Sequence, residues 1–196
     1  MKKAIVVIDG GYFDNLNQYL QKANGKRLDI EKLSLKVCEG MDHLRTRFYH
    51  ANPYQSETPT QDEKDRYANA QKFFYSINRL RNHEVVSVGR VKPVFFKCPK
   101  CNKEYTLPKQ KGVDVAIALD IVKMSQKKVA DVFVIISGDE DLTDAVNMAK
   151  ENLAQVVVYF ASDNKYKIFG SIKLGNTADH RVKMDLNFLD ACARDA

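Results

Sequence analysis

Four aspartates of this sequence stand where predicted strands end or predicted helices begin. Asp9 directly follows an apolar, strand-like run, and Asp139 and Asp141 directly follow another. Asp114 lies in the first turn of the helix predicted just before that second run. In open α/β sheets, ligands bind outside the carboxyl ends of the strands. Carboxylates brought together there repel one another unless a hard cation lies among them, so the pattern predicts a Mg²⁺ or Mn²⁺ site at these four acids.

Each acid also has a simpler interpretation, in which it only stabilises a helix terminus. Asp114 could supply favourable charge at a helix N-terminus, and Asp139 or Asp141 could cap the helix that follows. Asp9 fits this interpretation less well, because it lies between a buried strand and two glycines that allow a close turn facing a crevice. The conjunction of the acids favours a metal site. Asp120 is predicted to lie outside it, since six helical positions after Asp114 it has turned by about 240°.

The chemistry that such a site suggests is phosphodiester hydrolysis. A divalent ion acidifies bound water and neutralises charge on the reacting phosphate, so no side-chain nucleophile is required. The histidines have no Ser or Cys partner that the sequence identifies. They are His43, His50, His83 and His180. A phosphatase with Asp9 as covalent nucleophile is rejected, because Gly11 occupies the position where a second aspartate would be needed.

The positive charge of the chain is concentrated in one stretch. With 31 Lys and Arg against 25 Asp and Glu, the net charge is +6. Residues 85–111 contain one acid, Glu104, and seven cations, namely Arg90, Lys92, Lys97, Lys100, Lys103, Lys109 and Lys111. Cations neutralise phosphates and aromatic faces stack on unpaired bases, and Phe95, Phe96 and Tyr105 lie among these cations. This basic strip is predicted to bind single-stranded nucleic acid, and the alternative is a solvated hairpin.

The elements that must position these residues alternate in the order of an α/β protein with a mostly parallel sheet. Strands are predicted at residues 4–8, 44–49, 85–88, 132–136, 156–160 and near 181–184. Helices are predicted at residues 12–20, 30–37, 61–81, 112–127 and 141–152, with a further one from Asp163 through Leu174. The basic strip at about 90–111 interrupts this alternation of strands and helices and is predicted to be an insertion or hairpin. The pattern predicts one domain over residues 1–196.

Composition narrows the class of protein. The chain is 44% hydrophobic with only 9 Gly and 5 Pro, which is enough to bury a core and argues against disorder. Apolar runs stay far below the roughly 20 residues of a membrane span, and we expect no signal peptide or anchor. Four cysteines are too few for a disulfide scaffold of this length. A reducing, cytoplasmic location is therefore expected.

Cys98 and Cys101 have the spacing of half a zinc knuckle. A structural zinc site needs four ligands, and only these two are local. Cys38, Cys192 or His83 could complete the site, as could a second copy of the chain in a homodimer. Without further ligands, the two cysteines are free thiols in a tight turn, and Cys38 and Cys192 are ordinary buried residues.

Three sequence blocks together resemble the NYN domain, a group of PIN-like nuclease relatives that includes the LabA-like bacterial proteins. The blocks are DG at positions 9–10 after an apolar strand, GVDVAIALD at 112–120, and SGDEDL at 137–142. The resemblance extends from residue 3 to about residue 160. It implies a three-layer α/β/α fold and an acidic pocket that binds Mg²⁺ or Mn²⁺ and cleaves RNA.

By motif position, the resemblance assigns the metal-binding and catalytic acids to Asp9, Asp114, Asp139 and Asp141, and gives Ser137 a role in orienting the loop. The family commonly has an asparagine shortly after the first aspartate. Here that place is taken by Gly11 and Tyr12, and Asn15 follows one helical turn later as a candidate supporting residue. The sequence thus predicts a metal-dependent endoribonuclease. The alternative is a non-catalytic RNA-binding or regulatory module on the same fold.

Overall fold

A six-stranded, fully parallel sheet forms the centre of the protein in the computed structural model, with strand order β3-β2-β1-β6-β7-β8. The structure describes residues 1–194, apart from the side chains of Arg90, Lys92, Pro93, Phe95 and residues 105–110. The sheet strands are β1 (Lys3–Asp9), β2 (Asp42–His50), β3 (His83–Ser87), β6 (Val132–Ile136), β7 (Gln155–Phe160) and β8 (His180–Lys183). A separate antiparallel hairpin consists of β4 (Arg90–Lys97) and β5 (Glu104–Lys111).

Helices cover both faces of the sheet, which confirms the predicted α/β class and its three layers. The helices are α1 (Gly10–Asn24), α2 (Ile30–Val37), α3 (Gln61–Asn78), α4 (Val113–Gln126), α5 (Thr143–Glu151), α6 (Ile172–Thr177) and α7 (Leu186–Ala191). One core holds buried side chains of α1, α2, α3 and α7, and the other holds those of α4, α5 and α6. In the described part of the chain, no helix is both long enough and apolar enough to cross a membrane.

The central strands are apolar throughout because each face of the sheet is covered. Along β1, Val6 and Ile8 point into the first core, whereas Val7 points into the second. All five residues of β6 are buried in the same alternating manner. In the sequence, Asp9 ends the apolar run of β1, and Asp139 and Asp141 come shortly after the apolar run of β6.

The order of the strands reverses between β1 and β6. The chain moves outward from β1 to β2 and β3, then returns to the other side of β1 and moves outward again through β6, β7 and β8. Such a reversal opens a crevice at the carboxyl ends of the two strands, because their connections leave in opposite directions. Asp9 ends β1, and the loop of residues 137–139 follows β6, so both lie at this crevice.

The C-terminal third departs from the sequence prediction. Asp163 does not begin a helix through Leu174. It accepts hydrogen bonds from the backbone N–H groups of Lys165 and Tyr166 and closes a turn, and α6 starts only at Ile172. A short 3₁₀ turn, Glu140–Leu142, precedes α5, which begins at Thr143 rather than at residue 141. Both errors arise because aspartate caps turns as readily as helices.

The predicted insertion is the β4–β5 hairpin. Its register places Arg90 opposite Lys111 and Lys92 opposite Lys109. The hairpin is anchored at its base, where Val91 packs against the second core and the Cα of Gly89 closely approaches the backbone of Lys111. It leaves β3 at that strand's carboxyl end and returns to the start of α4. Its base is therefore at the edge of the sheet that carries the crevice.

Candidate functional site

Asp9 is held rigidly at the end of β1. Its Oδ1 accepts hydrogen bonds from the backbone N–H groups of Gly11 and Tyr12, at 2.9 and 3.3 Å, and so caps α1. Its Oδ2 accepts a hydrogen bond of 3.1 Å from the Ser137 hydroxyl. The capping interpretation, which the sequence favoured least for this acid, therefore describes one of its oxygens. Capping leaves the second oxygen directed at the loop after β6.

Ser137 joins the two strand ends. It is 1% exposed, and its Oγ donates to Asp9 while accepting the backbone N–H of Asp139 at 3.2 Å. Asp139 in turn caps the 3₁₀ turn, since its Oδ1 accepts the backbone N–H of Asp141 at 3.0 Å. These bonds fix the positions of both acids relative to Asp9.

The carboxylates affect one another's ionisation. Burial raises the pKa of Asp9 above its usual value, and the charge of Asp114 raises it further, although hydrogen bonds from Tyr12, Ser137 and Gly11 oppose the rise. Burial also raises the pKa of Asp114, and the charges of Asp139 and Asp141 add to this effect. Asp114 therefore lies within the electrostatic reach of the other three acids. The structure brings all four predicted residues into one region of negative charge.

Three of the four acids line one large cleft of about 1550 Å³. Asp9, Asp114 and Asp139 are in its wall, as are Asn15 on α1 and Glu140. Asp141 is outside the lining of the cleft, and its backbone, rather than its carboxylate, contacts Asp139. Asn15 is exposed, so its amide faces the cleft without being fixed in the protein core.

Among the described residues, no three His, Cys, Asp or Glu side chains are close enough to form a ready-made metal site. The donor set nevertheless fits Mg²⁺ or Mn²⁺. Mg²⁺ usually keeps several of its waters and binds through only one or two carboxylates, so it does not require an all-protein cage. Half-buried carboxylates with raised pKa values at the carboxyl ends of parallel strands supply the required negative charge and oxygen ligands.

Another part of the cleft wall contains residues that the sequence reasoning missed. It is formed by the segment between β7 and α6, together with exposed cations on α1, on that segment and on α6. These cations are Lys22, Lys167 and Lys173. Tyr166 also lines this wall, as does Phe169, a residue that is 56% exposed. Spread over three elements, these residues form no run in the sequence, so no local pattern could have revealed them.

The wall is tied to the acidic side by hydrogen bonds. The Tyr19 hydroxyl on α1 donates to Asp163 Oδ2 at 2.9 Å, and the Tyr12 hydroxyl accepts the backbone N–H of Ala161 at 2.8 Å. The backbone N–H of Ser171 donates to the carbonyl of Gly138 at 3.0 Å. A Cβ on Gly138 would lie 2.5 Å from the Tyr12 ring, so glycine is required for this close approach. Tyr12, which replaces the expected asparagine, thus has a structural role.

His50, at the end of β2, is a further residue that the sequence analysis did not assign to the site. Its Nδ1 lies 2.6 Å from the carbonyl oxygen of Ala51 and its Nε2 lies 3.2 Å from Asp14 Oδ2. Burial disfavours the charged ring, but the hydrogen bonds to Asp14 and Ala51 and the charges of Asp14 and Asp9 outweigh burial and raise the pKa of His50. His50 packs beside Gly10, where a Cβ would lie 2.4 Å from its ring.

Asp120 lies outside the site, as its helical phase predicted. Its carboxylate accepts the Tyr49 hydroxyl at 2.9 Å and forms an ion pair with Arg47, also at 2.9 Å. Arg47 also pairs with Glu84 on the neighbouring strand β3. The aspartate is used in a structural network on the side of α4 that faces β2.

The predicted basic strip is split between the two ends of the hairpin. Lys97, Lys100 and Lys103 are exposed at or beside the tip, and Lys111 is exposed at the base, three residues before Asp114. The side chains of Arg90, Lys92 and Lys109 lie outside the described residues. Only the base of the hairpin is therefore adjacent to the acids, because strands of eight residues extend for about 27 Å.

The intramolecular partners considered for Cys98 and Cys101 lie elsewhere. Cys38 and Cys192 are buried in the first core, and burial raises the pKa of each thiol to about 11. His83 is also buried, and its ring nitrogens lie 2.7 Å from the Arg81 carbonyl and 3.1 Å from the Ser34 hydroxyl. In the described residues, therefore, neither the buried cysteines nor His83 completes a zinc site at the hairpin.

These features define an α/β protein with an acidic cleft at the switch point of a parallel sheet. The NYN domain family model matches residues 3–185, nearly the whole chain, and the protein belongs to the NYN domain family. NYN domains are generally nuclease-like hydrolases that bind RNA, and such nucleases generally use divalent metals.

A solved structure supports the fold. The chain is similar to a protein of unknown function from Vibrio parahaemolyticus RIMD 2210633, with 20% sequence identity and a TM-score of 0.59. The similarity covers 98% of this chain and 96% of the other. None of the curated proteins compared with the chain matches it.

Proposed function

We propose that the protein is an endoribonuclease that hydrolyses RNA phosphodiester bonds with the help of Mg²⁺ or Mn²⁺. The observation that carries this proposal is that Asp9, Asp114 and Asp139 line one cleft at the carboxyl ends of β1 and β6. In agreement with this, burial and the charges of neighbouring carboxylates raise the pKa of Asp9 and of Asp114. Such concentrated negative charge is unfavourable for the folded protein by itself. It is favourable once a cation is bound.

Asp9, Asp114 and Asp139 are the proposed ligands, with Asp141 contributing charge from outside the cleft lining. A divalent ion bound there supplies an acidified water and neutralises the charge that develops on the phosphate. Ser137 holds Asp9 and the loop of Asp139 in fixed relative positions, so the carboxylates need not reorganise when substrate arrives. Asn15 faces the cleft as a hydrogen-bonding group.

The part of the cleft wall formed by the segment between β7 and α6 and its neighbouring cations supports RNA as the substrate. Lys22, Lys167 and Lys173 can neutralise phosphates that flank the scissile bond. The exposed ring of Phe169 and the neighbouring Tyr166 can stack on unpaired bases, which favours a single strand over a duplex. At the hairpin base, the register pairs Arg90 with Lys111 and Lys92 with Lys109, which are four cationic residues.

The direct test is cleavage of a circular, single-stranded RNA, which has no ends and so is opened only by an endonuclease. We expect linear product with Mg²⁺ or Mn²⁺ and none with EDTA. Asp114→Asn and Asp139→Asn should each lower the rate by at least about 100-fold, since removing an electrostatic group from an active site typically has an effect of this size. Asp144→Asn is the matched control, because Asp144 is exposed on α5.

The alternative, an RNA-binding module without turnover, gives a different result in the same experiment. The protein would retain the circular RNA in a filter-binding assay but leave it uncut in every metal tested. Equal rates for the wild type, Asp114→Asn and Asp139→Asn would instead show that any cleavage comes from elsewhere and would refute the assignment of these acids.

A further inference from the structure

The tip of the β4–β5 hairpin has the structure of one half of a metal site. Cys98 and Cys101 lie on either side of Pro99 and Lys100, in a turn closed by two backbone hydrogen bonds. The N–H of Cys98 donates to the carbonyl of Lys103 at 2.9 Å, and the N–H of Asn102 donates to the carbonyl of Cys98 at 2.8 Å. This turn is independent of the acidic cleft.

The turn directs polar groups at sulfur. Hydrogen bonds from the backbone of Cys101 and Lys100 and from the Cys101 side chain lower the pKa of the Cys98 thiol. N–H groups directed at a thiolate orient it and offset its charge, which is the role that hydrogen bonds around a metal's ligands perform.

The backbone of the turn supports this arrangement. Asn102 has a left-handed conformation, with φ of 55°, which turns the chain back immediately after the second cysteine. Asparagine tolerates this conformation better than most residues. Cys98 is half-buried and Cys101 is exposed, so the sulfur pair is accessible from outside the molecule.

The site lacks two ligands, and this chain does not supply them. A thiolate zinc site is tetrahedral and closed, with four ligands and Zn–S distances of about 2.3 Å. Among the described residues, no group of three or more His, Cys, Asp or Glu side chains is placed to hold a metal ion by itself. The hairpin's strands pair with each other in a sheet separate from the central one, and Lys100, Cys101 and Lys103 at its tip are exposed.

We propose that two copies of this chain join at their hairpin tips through one Zn²⁺ held by Cys98 and Cys101 of each copy. Two identical half-sites related by a two-fold axis supply the four sulfurs that a closed site needs. Four thiols and one Zn²⁺ give a centre of net charge −2 and release four protons, with no change in oxidation state.

Joining at the tips leaves the two acidic clefts separate. Each hairpin is about 27 Å long, so two bodies linked end to end do not need to touch elsewhere. The proposal does not depend on the nuclease activity, and loss of zinc is expected to leave the carboxylates of each cleft in place.

The test uses the full-length protein, purified under reducing conditions with Zn²⁺ present and then freed of excess metal. We expect a dimer by light scattering and 0.5 zinc per chain by elemental analysis, because one ion is shared by two chains. Cys98→Ser and Cys101→Ser should each give a monomer without bound zinc. Lys97→Gln, which alters the same tip but keeps both thiols, should remain a zinc-containing dimer.

Co²⁺ provides a second measurement. In the metal-free protein, Co²⁺ should bind at one ion per two chains, with the absorption of tetrahedral thiolate coordination. A monomer with one zinc per chain, a monomer without zinc, or formation of a Cys98–Cys101 disulfide in place of metal binding would each overturn the proposal. A dimer that persists unchanged in Cys101→Ser would also overturn it.

Discussion

Asp114 is central to the candidate site at the scale of single residues, because its pKa responds to the charges of both Asp139 and Asp141 while Asp9 responds to Asp114. A carboxyl whose pKa is raised in the folded state is favoured there in its protonated form. It therefore lowers the stability of the folded protein as pH rises from below its ordinary pKa through the raised value. At neutral pH the cost is fully present unless a cation is bound.

Asp114→Asn should therefore stabilise the metal-free protein at pH 7. We expect the melting temperature in EDTA to rise by a few degrees, since each kcal/mol corresponds to about 2–4 °C in a protein of this size. At pH 3 the difference should disappear, because the wild-type carboxyl is then protonated and resembles the amide. Scanning calorimetry at the two pH values measures this effect.

The control for this prediction is Asp144→Asn, which removes an acid from the first turn of α5, where negative charge is favourable. It should lower the melting temperature slightly or leave it unchanged. If Asp114→Asn destabilised the protein as much as this control does, the carboxylate would not be under the electrostatic strain described here.

His50 gives a pH dependence of the opposite sign. Its pKa is raised, so its partners favour the protonated ring, and this contribution is fully present below pH 6.5 and is lost as pH rises through the raised value. His50→Gln should therefore destabilise the protein more at pH 5 than at pH 9. The Asp14 carboxylate is largely exposed, so the difference should be less than about 1 kcal/mol.

Urea unfolding at both pH values measures this difference. His180→Gln serves as the control, because His180 is exposed at the start of β8. A His50→Gln effect of equal size at pH 5 and pH 9 would contradict a charged interaction between His50 and Asp14.

At the scale of elements, the base of the hairpin places cations opposite each other, Arg90 with Lys111 and Lys92 with Lys109. Like charges at directly opposite positions destabilise a strand pair. An anion at the hairpin base removes this cost, and the phosphates of RNA bound across the cleft are the anions that the proposed function supplies.

Replacing Lys92, Lys109 and Lys111 together by Gln should therefore weaken binding of single-stranded RNA. Each lost phosphate contact reduces the slope of log affinity against log salt by about 0.7, so three lost contacts should make it shallower by roughly 2. Fluorescence anisotropy over a series of salt concentrations measures both quantities.

The matched control replaces Lys123, Lys127 and Lys128 by Gln, which removes the same charge from the opposite end of α4. Its affinity and slope should stay close to the wild type's. If both triple variants weakened RNA binding equally, only the net charge would matter, and the hairpin base would have no specific role.

Elements with strong local signals could be predicted from the sequence, and those that depend on tertiary contacts could not. The helix predicted at residues 61–81 is α3, Gln61–Asn78, which begins with a capping box between Thr60 and Glu63. The helix predicted after Asp163 was wrong, because that aspartate closes a turn anchored by Tyr19 from α1. The sequence around residue 163 does not indicate that Tyr19 of α1 lies beside this aspartate.

In the candidate site, too, the residues with a local sequence signal could be predicted and those that depend on tertiary contacts could not. Asp9, Asp114 and Asp139 were predictable, because an acid after a buried strand or at a helix start is a local pattern. The cleft wall was not, since Lys22, Lys167 and Phe169 come together only through the packing of α1 against the segment after β7.

At the scale of the whole molecule, the reversal of strand order between β1 and β6 brings the acids together. Residues 9 and 139 are far apart in sequence, but β1 and β6 are adjacent and in register from Ala4 with Val132 to Ile8 with Ile136. The sheet thus places both strand ends at one crevice, and α4 brings Asp114 to the same place. Cation binding at this crevice is the central claim.

Isothermal titration calorimetry with Mn²⁺ in EDTA-free buffer tests this claim most directly. The wild type and Asp144→Asn should bind Mn²⁺ with the same affinity. Asp9→Asn and Asp139→Asn should each weaken binding by at least about tenfold, the loss expected when a ligand or its support is removed. Unchanged Mn²⁺ affinity in both Asp9→Asn and Asp139→Asn would contradict the account.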